Sequence, residues 1–154
     1  MKKIEKVANY MLYVNPEGNM TPKKLQKLLF IAYGLFLVVY NDDKNHITER
    51  LFTNDFQAWT HGPVSPTIYH KYKDYGMRQI SFTECCDFGL KNYEMEFINE
   101  VLLKFGKYKA YQLEDFTHKQ KPWVNQREGL EWYEPSQNKI LDSDIFDEYI
   151  EYVC

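Results

Sequence analysis

The thirteen residues from Leu28 to Tyr40 (LLFIAYGLFLVVY) carry no charged side chain. A helix that crosses a bilayer needs about 20 such residues, so this run is too short to span a membrane. A helix that is apolar on every face must instead be wrapped by other parts of its own chain. Thr21-Pro22 marks its start. The threonine hydroxyl can accept from free backbone N–H groups, and proline in the first turn gives up only a bond it would not have made. The reading is a buried central helix over about Thr21–Tyr40. Leu25, Leu28, Leu29, Ala32, Phe36 and Val39 form one stripe, and Phe30, Ile31, Leu35, Leu37 and Val38 fill the other faces. Lys23, Gln26 and Lys27 are expected to mark wet first turns.

The remaining patterns supply the wrapping. Ile4, Val7, Ala8, Met11 and Leu12 follow the spacing of an amphipathic helix, and Asn15-Pro16-Glu17-Gly18-Asn19 breaks it. Leu51 to Trp59 is short and interrupted by Asn54-Asp55, which suits two short strands or an irregular turn. Ser65-Pro66 repeats the cap-plus-proline start, with Gly76 as the stop and Ile68, Tyr69, Tyr72 and Tyr75 on one face. Met77 to Gly89 has no clear period, although Ile80 and Phe82 are compatible with a short strand. A helix is expected over Asn92–Phe105, stopped by Gly106, then short helices through Tyr111–Phe116 and from Pro122. Ser143 is expected to cap a last helix with Phe146, Tyr149, Ile150 and Val153 inward. The fold class is therefore mainly α, a compact helical domain around a buried central helix with at most a small two- or three-stranded β element. With 154 residues, no repeat and no linker, one domain over 1–154 is expected.

The formal charge is −3, which gives no support to a general polyanion binder. Met1 to Arg127 holds 18 basic and 14 acidic residues, whereas Glu128 to Cys154 holds Lys139 against eight acids. The last helix, about 143–154, then reads as an acidic appendage with a solvated face. Cys85, Cys86 and Cys154 offer neither a disulfide framework nor a CxxC pair, which fits a reducing compartment. Glu5, Asn9 and Tyr10 deny the amino-terminal stretch an apolar signal core, so a cytoplasmic protein is expected.

Chemistry-bearing residues are sparse. His61, in Trp59-Thr60-His61-Gly62-Pro63, and His118, in Thr117-His118 before Pro122-Trp123, both sit in connections. Acid–base work by the pair would need a nucleophile and an orienting carboxylate, and the sequence supplies neither beside them. Bracing of loops is the simpler role. His46, His61, His70, His118, Cys85 and Cys86 show no C-x-x-C or H-x-x-x-H spacing, so no metal and no cofactor is expected. A P-loop and a GxGxxG are also missing. Lys23, Lys24 and Lys27, and His118, Lys119, Lys121 and Arg127 around Trp123, are the clusters that would track a phosphate backbone. The acidic balance argues against that use. The tyrosines Tyr10, Tyr13, Tyr33, Tyr69, Tyr72 and Tyr75 hint at a partner surface, because tyrosine offers large area with a polar tip.

Three blocks together resemble a known family. The first is Thr21 to Gly34 (TPKKLQKLLFIAYG). The second is Phe56 to Val64 (FQAWTHGPV), followed by Tyr69 and by Tyr72-Lys73-Asp74-Tyr75-Gly76. The third is Leu113, Phe116-Thr117-His118 and Pro122-Trp123. In this order and spacing they resemble the Panacea domain of GepA-like and SocA-like phage-associated antitoxins, over about residues 20–127. The resemblance implies a helical, non-enzymatic protein that binds and neutralises a cognate toxin, often encoded by an adjacent gene. Some members are adaptors that hand a bound protein to a protease. The motif residues Lys24, Gln26, Lys27, Trp59, His61, Gly62, Pro63, Tyr69, Thr117, His118, Pro122 and Trp123 are then expected to meet at one junction. That junction serves the fold or a partner. A nucleic-acid-binding regulator and an enzyme using His61 and His118 are the competing functions.

Overall fold

The computed structural model describes residues 1–15, 17–83 and 87–153. The expectations for Cys85, Cys86 and Cys154 lie outside the described residues. Seven α-helices and one two-stranded sheet are present among the described residues: α1 (Lys3–Val14), α2 (Pro22–Tyr40), β1 (Gln57–Trp59), β2 (Gly62–Val64), α3 (Pro66–Tyr72), α4 (Asn92–Phe105), α5 (Ala110–His118), α6 (Lys121–Asn125) and α7 (Asp142–Val153). The mainly helical class is as the periodicity predicts.

α2 is the axis of the molecule. The Thr21 hydroxyl accepts from the Lys24 N–H at 3.3 Å and Pro22 opens the first turn. Leu25, Leu28, Leu29, Phe30, Ile31, Ala32, Tyr33 and Leu37 are completely buried. They are covered by α1, α3, α4, α5, α7 and the hairpin. α3 starts in the same way, with the Ser65 hydroxyl accepting from Ile68 N–H at 3.4 Å. α1, α4 and α5 start differently: the side chains of Glu5, Glu94 and Gln112 accept from the backbone N–H groups of Lys2, Lys91 and Lys109 at 2.8, 2.9 and 2.8 Å. Each is one half of a capping box, three residues into its helix.

β1 and β2 form an antiparallel hairpin with Trp59 opposite Gly62. The other edge of β1 is met by the segment before α7. Ala58 N–H donates to Asn138 O and Ile140 N–H to Phe56 O, both at 2.9 Å, with an isolated antiparallel bridge between Gln57 and Lys139. Of the two options for Leu51–Trp59, the irregular path holds as far as Phe56 and a strand follows. Ile80 and Phe82 form no strand. Ile80 is instead buried and donates its N–H to Met20 O at 2.8 Å, a single long-range bond that no local pattern encodes.

The last helix turns Phe146 and Tyr149 inward, as its period predicts, but it is not the appendage that its charges suggest. It is part of the core and lies along α2. Tyr149 is buried against Gly34, where a Cβ atom would come within 2.6 Å of the Tyr149 ring. Ile145 and Phe146 are also buried, whereas Val153 is exposed. The helix begins at Asp142, one residue before the expected Ser143 cap. The Asp142 carboxylate is held by Tyr33 OH at 2.7 Å, Asn54 Nδ2 at 2.9 Å and Arg50 Nε at 3.1 Å. These bonds anchor the start of α7 to the middle of α2.

Candidate functional site

Lys23, in the first turn of α2, is exposed as expected. Gln26 and Lys27, also expected to be wet, are 5% and 1% exposed, and Lys24 is 1% exposed. The hairpin, α3 and α5 cover this end of the helix, and each buried polar group is met by backbone. Gln26 Oε1 accepts from Ser65 N–H at 2.8 Å, and its Nε2 donates to Ser65 O at 2.9 Å. One side-chain amide thus reproduces a strand-like pair and ties the end of the hairpin to α2. Lys24 donates to Asn19 Oδ1 at 2.9 Å and to Gly106 O. It joins the loops before α2 and after α4.

Lys27 donates to Pro63 O at 3.2 Å. Gly62, at φ +113°, leaves the room. A Cβ there would lie 2.8 Å from Lys27 Cε and 3.3 Å from Thr117 Oγ1. Glycine is thus required twice over, by its backbone angle and by the lysine passing over it. Burial pushes the Lys27 ammonium down to about 7, against the opposing pull of Glu114. A buried amine without a tight ion pair shifts in this direction because the charged form is the one that loses solvation.

Glu114 on α5 gathers the remaining charges. Burial alone would raise its carboxyl. The Lys23 ammonium against it, with His118 and His61 nearby, holds it below the usual carboxylate range. His61 Nδ1 stands 3.8 Å from Glu114 Oε2. Burial pushes the His118 imidazole below its usual range, opposed by Glu114 and by a backbone hydrogen bond at His61. His118 stacks on Trp123, with ring centroids 4.2 Å apart at 16°. The Trp123 indole N–H in turn donates to Trp59 O at 2.7 Å. Trp59 meets Tyr69 edge-on at 4.9 Å. Pro122 is buried at the start of α6, and Thr117 is fully buried with its hydroxyl donating to Glu114 O at 3.1 Å. The structure places the residues of all three blocks around the start of α2.

Over this junction lies a groove of about 340 Å³ whose walls include Lys23, Trp59, His61, Ile68, Tyr69 and Lys73. As acid–base machinery the cluster is poorly arranged. The Thr117 hydroxyl is spent on a helix carbonyl, and the Lys27 amine is enclosed beneath Gly62 and Pro63. Thr117 does not line the groove, and Lys27 borders it with only 1% of its surface exposed. Among the described residues, no three His, Cys, Asp or Glu side chains converge to hold a metal ion. None of the described helices is long and apolar enough to cross a membrane.

A family model for the antitoxin SocA-like Panacea domain matches residues 25–124, which is 100 of the 154 residues. The chain belongs to this family. All of the junction residues but Lys24 fall inside the matched range. Comparison with curated proteins and with solved structures returned no significant match.

The Panacea domain also revises the two basic clusters. Lys24, Lys27 and Arg127 are buried, at 1%, 1% and 6% exposure, and cannot track a phosphate backbone. Arg127, which the sequence places in a basic cluster around Trp123, organises a loop. Its Nη1 donates to Ala58 O at 3.0 Å, and its Nη2 reaches the carbonyls of Glu131, Trp132 and Glu134. Arg50, Asn54, Asp142 and Glu114 are polar residues that composition and spacing did not single out. Their partners lie far away in sequence, so no local signal marks them.

Proposed function

We propose that this Panacea-domain chain is an antitoxin that acts by binding a protein toxin and blocking it, without catalysis of its own. Family membership over residues 25–124 carries the reading. Two further features support it. The motif residues Gln26, Lys27 and Thr117 spend their polar groups on backbone carbonyls and N–H groups of the junction, which suits a structural role better than a catalytic one. The exposed surface is unusually rich in aromatic side chains, with Tyr13, Tyr69, Tyr111, Trp132 and Tyr133 all at least 42% exposed. Such side chains dominate protein–protein hot spots.

The toxin is expected to be the product of a neighbouring gene, and the complex to form in the cytoplasm. The test is co-expression of this chain with that product, scored by growth and by co-purification. Rescue with a stable complex is the expected outcome. Rescue without a complex would replace blocking by delivery to a protease or by repression. Absence of rescue would remove the antitoxin reading.

A further inference from the structure

Lys24, Gln26, Lys27 and Thr117 of the junction spend their polar groups internally, so the partner surface is sought where side chains point out without a structural task. We propose that the aromatic knob of Trp132 and Tyr133 is the surface on which this chain captures a protein partner with a basic face. The inference rests on the toxin-binding reading and names the part of the chain that performs it.

Trp132 is 78% exposed and Tyr133 62%, the two most exposed of the described Trp, Tyr and Phe side chains. The other two tryptophans are half-buried, and each contributes to the junction. The knob rings meet edge-on with centroids 5.7 Å apart. Beside them is a recess of about 460 Å³ whose walls include Trp123, Val124, Arg127, Glu128, Leu130 and Trp132, with Val124 itself 45% exposed. A projecting ring next to a recess offers a partner both an anchor to bury and a pocket to fill.

The loop that carries the knob is held in shape. Besides the Arg127 bonds, Leu130 N–H donates to Arg127 O at 3.0 Å and Glu134 N–H to Glu131 O at 3.1 Å. Gly129 supplies the left-handed turn at φ +83°, and Asn138 Nδ2 donates to Gln126 O at 2.9 Å. A preorganised loop gives up less entropy on binding than a loose one. No bond or packing contact of the core requires Trp132 or Tyr133 themselves. Only the Trp132 backbone carbonyl is used.

Charge selects the partner. From Arg127 to Lys139 the chain carries Glu128, Glu131 and Glu134 against two cations: Arg127, turned inward onto carbonyls, and Lys139, at the end of the loop where it bridges to Gln57. Glu128 and Glu131 are exposed. An acidic rim around an aromatic centre fits a basic protein surface. The same charges repel nucleic acid, anionic lipid and a second copy of the loop.

The test uses the full chain against the purified product of the neighbouring gene, with binding followed by calorimetry or interferometry. Trp132→Ala with Tyr133→Ala is expected to weaken binding at least about thirtyfold, the loss typical of truncating a hot spot, with an unchanged thermal melt. Glu128→Lys with Glu131→Lys is expected to slow association and flatten its salt dependence. Leu103→Ala, at an exposed position of α4, is expected to bind as wild type. Equal binding by the Trp132/Tyr133 variant, with wild type binding and rescuing growth, overturns the inference and leaves the antitoxin reading standing. No binding and no rescue by wild type removes both. A wild-type dimer that the Trp132/Tyr133 variant converts to monomer overturns the inference by assigning the face to a second copy.

Discussion

Lys27 makes the stability of this protein depend on pH in an unusual direction. Its ammonium is 1% exposed and lies against Pro63 O, and burial lowers its pKa from 10.5 to about 7. In the unfolded chain the amine regains its ordinary value, so unfolding takes up a proton between about pH 7 and pH 10. Stability therefore rises with pH across that window and is flat below it. At 1.36 kcal/mol for each pH unit, the rise from pH 7 to pH 9 is about 2 kcal/mol, rounded at its lower end where the folded amine is half protonated. Glu114, Lys23 and His118 face the same region. Glu114 and His118 have pKa values held below their usual ranges, so they titrate below the window. Buried Tyr33 and Tyr149 are pushed above the usual tyrosine range, so they titrate above it. The assay is urea unfolding at pH 6, 7, 8 and 9 for wild type and Lys27→Met. The wild-type minus variant difference is expected to be level from pH 6 to 7 and then to climb in favour of wild type. Two parallel curves through pH 9 would refute the claim that the folded protein holds this amine near neutrality.

Three further substitutions probe the frame. Gly34→Ala drives a methyl group into the Tyr149 ring, 2.6 Å from its nearest carbon, and is expected to cost about 1–3 kcal/mol in denaturant melts. Gln26→Leu leaves the Ser65 N–H and carbonyl buried without partners. About 1–3 kcal/mol for each orphaned group should lower the melting temperature clearly, with Gln26→Glu recovering part of the loss because it can still accept from Ser65 N–H. Arg127→Lys keeps a charge but not the planar fork that reaches four carbonyls. It is expected to cost about 2 kcal/mol and to speed amide exchange from Leu130 to Glu134.

What the sequence disclosed was governed by local physics. Thr21-Pro22 and Ser65-Pro66 place helix starts because the capping hydroxyl and the proline act within one turn. The α4 span is also local, since its apolar period and Glu94 both sit inside it. What stayed hidden depends on partners far along the chain. Gln26 and Lys27 read as solvated because such long polar side chains usually are. Their burial follows only from the hairpin and α5 closing over the same end of α2. α7 read as an acidic appendage because its charges are conspicuous, whereas its packing depends on Gly34 and on the Tyr33, Arg50 and Asn54 partners of Asp142, all far away in sequence. Arg127 belongs by sequence to a basic cluster, and the carbonyls of Glu131, Trp132 and Glu134 that take up its charge carry no side-chain signature. The three motif blocks were legible as a family signature, but their hydrogen bonds to Ser65, Pro63 and Gly106 were not, since those acceptors are backbone atoms of unremarkable residues.

The most direct test of toxin neutralisation is the affinity of the purified chain for the purified product of the neighbouring gene, measured alongside that product's toxic activity. A stoichiometric complex whose formation titrates the toxic activity away is the expected result. A toxin that stays fully active in the presence of excess chain, with no complex formed, would contradict it.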